Sequence, residues 1–182
     1  MIVVDSLAVI AILFDEPEGT ACTRALEHAS ARLMSAVNYV ETGTVLAGRL
    51  RAGNRAKAME VLDDFLAVLG IEIAPLDDAM ARTALSARLV FGKGFGTRGG
   101  LNFGDCFAYA LAKRQYVPLL SVGDDFGLTD SPRLSDHPTK ERPRHDRRRP
   151  YSVVPRPASV SSIGKMRAVS DSSNGRIKVV RS

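Results

Sequence analysis

Residues 1–14 read Met1-Ile2-Val3-Val4-Asp5-Ser6-Leu7-Ala8-Val9-Ile10-Ala11-Ile12-Leu13-Phe14. The β-branched start predicts a short buried strand over Met1 to Val4. Asp5 ends that run. Ser6 can cap a helix over about Leu7 to Phe14. A buried strand running straight into a helix is the repeating step of an α/β chain with a parallel sheet. An acid at the junction is costly as a core residue and natural as a ligand for a hard cation.

The same alternation continues outward. Asp15-Glu16-Pro17 ends the first helix or starts a turn, and a second helix is expected over roughly Glu18 to Ala29. Arg32-Leu33-Met34-Ser35 is a second short apolar run. Ser35 or Asn38 then starts a helix through about Arg51, with Glu41 in its first turns. Gly53-Asn54 breaks the chain before an amphipathic helix over Arg55 to Leu69. Ile71 to Leu76 alternates as a strand, and Asp77-Asp78 caps a helix through about Phe91. Residues 92–100 hold five glycines and read as a flexible loop. Asn102 can cap a helix carrying Asp105 and ending near Gln115. Val117 to Val122 is a further apolar strand, followed by Asp124-Asp125-Phe126.

Asp5 and Asp124 thus sit at carboxyl ends of predicted strands, where open α/β sheets bind ligands. With Glu41 and Asp105 they make four separated acids that folding can assemble into one site. Three or four carboxylates can hold Mg²⁺ or Mn²⁺ through oxygen ligands. Two such ions suit phosphodiester cleavage. Each acid also has a plain structural reading. Asp5 and Asp105 can serve helix N-termini, Glu41 can be an exposed helix residue, and Asp124 or Asp125 can be turn residues. Their joint placement favours a site. His28 lies on an early helix, and His137 and His145 lie far along the chain, which argues against zinc and His-based chemistry. No Walker loop and no Gly-x-Ser-x-Gly elbow is present.

Composition divides the chain. Residues 1–130 carry 12 Lys/Arg against 16 Asp/Glu, a net −4, whereas residues 131–182 carry 13 against 4, a net +9. Six of the nine prolines and ten serines also lie in the second part, so it cannot bury enough apolar surface to offset chain entropy. The expectation is one ordered domain over 1–130 and a disordered basic Pro/Ser-rich tail over 131–182. Such a tail can add non-specific affinity for nucleic acid. The absence of aromatic interleaving beyond Tyr151 favours a solvated tail without a dedicated role. Cys22 and Cys106 have no metal or redox spacing and read as buried small hydrophobes in a reducing cytoplasm. No run approaches the roughly 18 apolar residues of a membrane span, and the N-terminus has no leader pattern.

Four segments carry a resemblance. Met1-Ile2-Val3-Val4-Asp5-Ser6, Asn38-Tyr39-Val40-Glu41, Leu101-Asn102-Phe103-Gly104-Asp105-Cys106-Phe107-Ala108-Tyr109-Ala110-Leu111-Ala112 and Leu119-Leu120-Ser121-Val122-Gly123-Asp124-Asp125-Phe126 resemble the PIN-domain ribonucleases. Among these they are most similar to the VapC toxins of type II toxin–antitoxin systems. The resemblance covers residues 1 to about 130. It implies a three-layer α/β/α fold around a mostly parallel sheet, a homodimer, and an Mg²⁺- or Mn²⁺-dependent endoribonuclease. It also implies a transfer or ribosomal RNA substrate and a VapB-like antitoxin partner. Carried over by residue, Asp5, Glu41 and Asp105 match the catalytic metal-binding acids, and Asp124 matches the fourth, with Asp125 as its rival. Ser6 keeps a hydroxyl beside Asp5. The family's first motif usually continues with a second hydroxyl residue, and here it is Asp5-Ser6-Leu7. Leu7 and the tail motivate one further reading, a catalytically weak or inactive domain that binds RNA or antitoxin; an RNA-processing nuclease without an antitoxin is the other.

Overall fold

A computed structural model describes residues 1–50, 52–95, 100–130, 166–170 and 177–181. Strand β1 (Ile2–Val4) leads into helices α1 (Ser6–Leu13) and α2 (Gly19–Glu27), then β2 (Arg32–Ser35). Helix α3 (Ala36–Arg49), a 3₁₀ segment (Ala52–Lys57) and α4 (Ala58–Leu69) lead to β3 (Ile71–Ala74). Helices α5 (Asp78–Phe91) and α6 (Phe103–Gln115) precede β4 (Leu119–Leu120). The four strands form one parallel sheet in the order β3-β2-β1-β4. Sequence order therefore reverses between β1 and β4, and that crevice is where such sheets leave room for a ligand.

Pleat alternation divides the core into two layers. Ile2, Val4 and Leu120 pack with α1, α2 and α4 on one face. Val3, Ala74 and Leu119 pack with α5 and α6 on the other. Successive side chains of one strand point to opposite faces, so a sheet covered on both sides reads as a continuous apolar run. Helix α1 is buried nearly all round, which explains why its sequence shows no polar face. The three-layer α/β/α arrangement expected from the sequence is the arrangement observed.

Several local expectations change. Asp5, not Ser6, caps α1: its Oδ2 accepts the Leu7 N–H at 3.2 Å, and the helix starts at Ser6. Pairing on the fourth strand covers Leu119–Leu120 rather than Val117 to Val122, because β1, its neighbour, is only three residues long. In the segment expected to be disordered, β5 (Met166–Ser170) and β6 (Ile177–Arg181) pair antiparallel. Ile177, Val179 and Val180 supply the β-branched pattern that permits it. The other residues of that tail, and residues 96–99 of the glycine-rich stretch, lie outside the described residues.

Candidate active site

Three elements deliver the acids. Asp5 follows β1, and its N–H donates to the Leu120 carbonyl at 2.9 Å, tying the end of β1 to β4. Glu41 stands on the second turn of α3. Asp105 is the third residue of α6, where Asn102 caps the helix. The Asn102 side chain accepts the Asp105 N–H at 2.9 Å, and Asp105 Oδ2 accepts the Asn102 N–H at 2.7 Å. This capping box satisfies two helix-end donors and fixes the acid's rotamer at once. Asp5 and Asp105 are therefore helix-end residues and members of one acidic cluster together.

Glu41 reaches the cluster over a glycine. A Cβ on Gly104 would collide with the Glu41 carboxylate, so the absent side chain makes room for the acid. Ser6 Oγ donates to Glu41 Oε2 at 2.7 Å, linking the helix that follows Asp5 to α3. Leu7 is 37% exposed, so its apolar side chain is not consumed by the core.

The electrostatics follow from this crowding. Burial, then the negative charges of Asp105 and Glu41, push the Asp5 carboxyl up from the usual 3.8 to about 7. Backbone N–H groups of Leu7 and Ser6 oppose the rise. Burial likewise pushes Asp105 up to about 6, opposed by the Asn102 N–H and assisted by the charges of Asp125 and Glu41. Among the described residues, none of the four ion pairs involves Asp5, Glu41 or Asp105.

The fourth acid is the point where sequence left two choices. Asp125 is the charge that acts on Asp105, and its Oδ1 lies 3.1 Å from where a Gly100 Cβ would stand. Asp124 contributes its carbonyl, which accepts the Gly127 N–H at 2.8 Å and closes the turn. The glycine-rich loop is fastened at its base by a parallel bridge between Gly92 and Leu101, immediately before the Asn102 cap. His28 stands at the end of α2, its Nδ1 2.7 Å from the Arg24 carbonyl oxygen, and takes no part in the cluster.

Sequence reasoning missed Asn38 as a site residue. It is fully buried on α3, and its Nδ2 lies 3.2 Å from Asp5 Oδ1, 3.4 Å from Glu41 Oε2 and 3.2 Å from the Gly104 carbonyl. The Ser35 hydroxyl donates to Asn38 Oδ1 and accepts the Asn38 N–H at 3.0 Å. Carboxylates only accept, so the amide must turn its NH₂ toward the acids. The only signal in the sequence was a polar residue one helical turn before Glu41.

Among the described residues, no three His, Cys, Asp or Glu side chains already converge tightly enough to hold an ion. The donor chemistry nonetheless fits a hard divalent cation: oxygen ligands, crowded like charges and no basic partner. A modest approach of Asp5, Glu41 and Asp105 around such a charge would relieve their repulsion.

The family model for the PIN domain matches residues 2–131. The ribonuclease VapC28 of Mycobacterium tuberculosis is 40% identical over 134 residues, 74% of this chain and 98% of that protein. A ribonuclease VapC of Mycolicibacterium smegmatis is 40% identical over 129 residues, 70% of this chain and 95% of that protein. In fold, the chain is similar to the crystal structure of VapC20 from Mycobacterium tuberculosis, described as a sarcin-ricin loop cleaving toxin. That match has a TM-score of 0.59 and 13% identity, and covers 74% of this chain and 98% of that one.

Proposed function

The chain belongs to the PIN-domain family, and on that premise we propose that it is an endoribonuclease toxin of the VapC type. It cleaves RNA phosphodiester bonds with Mg²⁺ or Mn²⁺ and is neutralised by a VapB-like antitoxin. The observation that carries this reading is the mutual approach of Asp5, Glu41 and Asp105 at the β1–β4 crevice, with no ion pair to any of them among the described residues. Transfer or ribosomal RNA as substrate, a homodimer and a cytoplasmic site of action complete the proposal. No helix among the described residues is long and apolar enough to cross a membrane, which is compatible with that location.

Asp5, Glu41 and Asp105 would hold the ion, and Asp125 suits the fourth acidic position better than Asp124 because it acts on Asp105. When bound, a divalent ion supplies positive charge for the phosphodiester and acidity for an attacking water. The chain's own residues prepare that chemistry. Ser6 holds Glu41 by its hydroxyl, and the Asn102 N–H holds Asp105 Oδ2. In the metal-free chain Asp5 and Asp105 keep their protons at acidic pH, so protons compete with the ion and its apparent affinity should fall as pH drops through about 7 and then about 6. The body over 1–130 is the catalytic domain, and the basic segment 131–182 is an appendage to it.

RNA cleavage mapping with Mg²⁺ or Mn²⁺, and with EDTA, tests this. Asp5→Asn and Asp105→Asn should each lower cleavage by at least about 100-fold while the far-ultraviolet circular dichroism stays native. Undiminished cleavage in both variants would sink the assignment. Native Mn²⁺ binding without turnover would favour the inactive reading that Leu7 raises.

A further inference from the structure

We infer that Asn38 is the positioning residue of the acid centre: its side-chain amide holds Asp5 and Glu41 side by side over the start of α6. This rests on the reading of those acids as a cation-binding nuclease centre. One Nδ2 serves oxygens from three elements: Asp5 after β1, Glu41 on α3 and the Gly104 carbonyl on α6. No other described side chain donates to both carboxylates.

The amide is itself locked. Ser35, the N-cap of α3, donates to Asn38 Oδ1 and accepts the Asn38 backbone N–H. A free amide could flip and present its oxygen to two carboxylates, which would add repulsion. The Ser35 hydroxyl makes that flip costly, because Oδ1 would lose its donor in a fully buried place. One helix-capping bond and one side-chain bond, both at Ser35, thus aim one NH₂ group at the acids.

The consequence concerns cation binding. Without Asn38, Asp5 and Glu41 repel with only the Ser6 hydroxyl and backbone N–H groups to restrain them. Their separation would widen, and a bound ion would have to pay for bringing them back. Partners that orient ligating carboxylates typically change metal affinity by about 10–100-fold when removed. Asn38 touches neither the phosphodiester nor the attacking water in this account. Its effect is on where the ligands wait.

The test is Mn²⁺ binding to the full chain by titration calorimetry, with thermal unfolding measured with and without Mn²⁺. Asn38→Ala and Asn38→Leu should bind Mn²⁺ roughly 10–100-fold more weakly than wild type. The rise in Tm caused by Mn²⁺ should shrink in step, since that rise reports affinity for the folded state. Asn38→Ser, which keeps one donor, should recover part of the affinity, and it decides the matter alone if the other two variants do not fold. Thr42→Val is the structural control: Thr42 is buried on the same helix and its hydroxyl donates to the Asn38 carbonyl at 2.7 Å. It should lower Tm equally with and without Mn²⁺ and leave affinity unchanged. Wild-type affinity in the Asn38 variants, or an equal loss in Thr42→Val, would overturn the positioning role. A wild-type chain that binds no Mn²⁺ would overturn the cation-centre reading itself.

Discussion

At the scale of single residues, Asp5 and Asp105 do two jobs that sequence reasoning treated as alternatives. Each is a helix-end residue, and each is a buried acid facing other acids. The sequence made both roles visible, because an acid between a strand and a helix satisfies either pattern. Asn38 was not visible, since its partners Asp5 and Gly104 lie 33 and 66 residues away and only folding joins them. The raised carboxyls have a consequence for stability. A group whose folded pKa exceeds its unfolded value stabilises the fold fully below the unfolded value and loses that contribution as pH rises through the folded one. The metal-free chain should therefore lose stability between about pH 4 and pH 7, by on the order of 4 kcal/mol from Asp5. Urea unfolding in EDTA at both ends of that range measures it, and saturating Mn²⁺ should remove most of the difference. Gly104 offers a second residue-level prediction. Gly104→Ala places a methyl where Glu41 lies, so cleavage should drop roughly tenfold or more. A kinetic comparison with wild type checks this, and an unchanged rate would mean that Glu41 is free to stand elsewhere.

At the scale of elements, strand and helix order was legible because buried parallel strands are apolar throughout and end at recognisable caps. Ser35, Asp77 and Asn102 cap α3, α5 and α6 by side-chain bonds, close to where the sequence placed them. Arg32 shows where that legibility stops. In a short apolar run an Arg reads as a side chain turned to water, yet this one is 6% exposed. Its Nε and Nη2 donate to the Leu26 carbonyl at 2.8 and 2.6 Å, and Nη1 donates to the Leu69 carbonyl at 3.0 Å. One guanidinium on β2 thus closes the carboxyl ends of α2 and α4, where helix dipoles favour a cation. A planar fork with several donors is needed, so Lys could not serve both carbonyls in the same way. Arg32→Met should cost about 3 kcal/mol, because it removes the charged donor bonds to the Leu26 and Leu69 carbonyls while filling a similar volume. Chemical denaturation measures that loss. Mn²⁺ affinity should stay near wild type, since Arg32 touches none of the acids.

At the scale of the molecule, the strand order β3-β2-β1-β4 puts Asp5 and the turn after β4 on the two sides of one crevice. The sequence suggested this through acids at strand ends, but only the order of the strands makes those ends neighbours. The body ends as firmly as it begins: Lys113 Nζ donates to Asp130 Oδ2 at 2.9 Å, and the Tyr109 hydroxyl also donates to Asp130. Beyond that anchor the charge reverses from −4 over 1–130 to +9 over 131–182. Arg133, Lys140, Arg144, Arg147 and Arg148, none of them followed by proline, offer trypsin a cluster of sites in a stretch whose composition cannot support a core. The β5–β6 pair beyond them is two-stranded, marginal by itself, and lies against α1 and α4. Brief digestion should therefore remove the tail first and leave a body ending near Asp130, identifiable by mass spectrometry. If the acids alone carry the chemistry, the trimmed body should keep Mn²⁺-dependent cleavage within a few-fold of the whole chain. Salt separates this from a tail that grips RNA. Each phosphate neutralised by Lys or Arg steepens the loss of affinity with rising salt, by a slope of about −0.7 per contact on single strands. Whole and trimmed chains should show the same slope; a steeper slope for the whole chain would make the tail part of the RNA-binding surface.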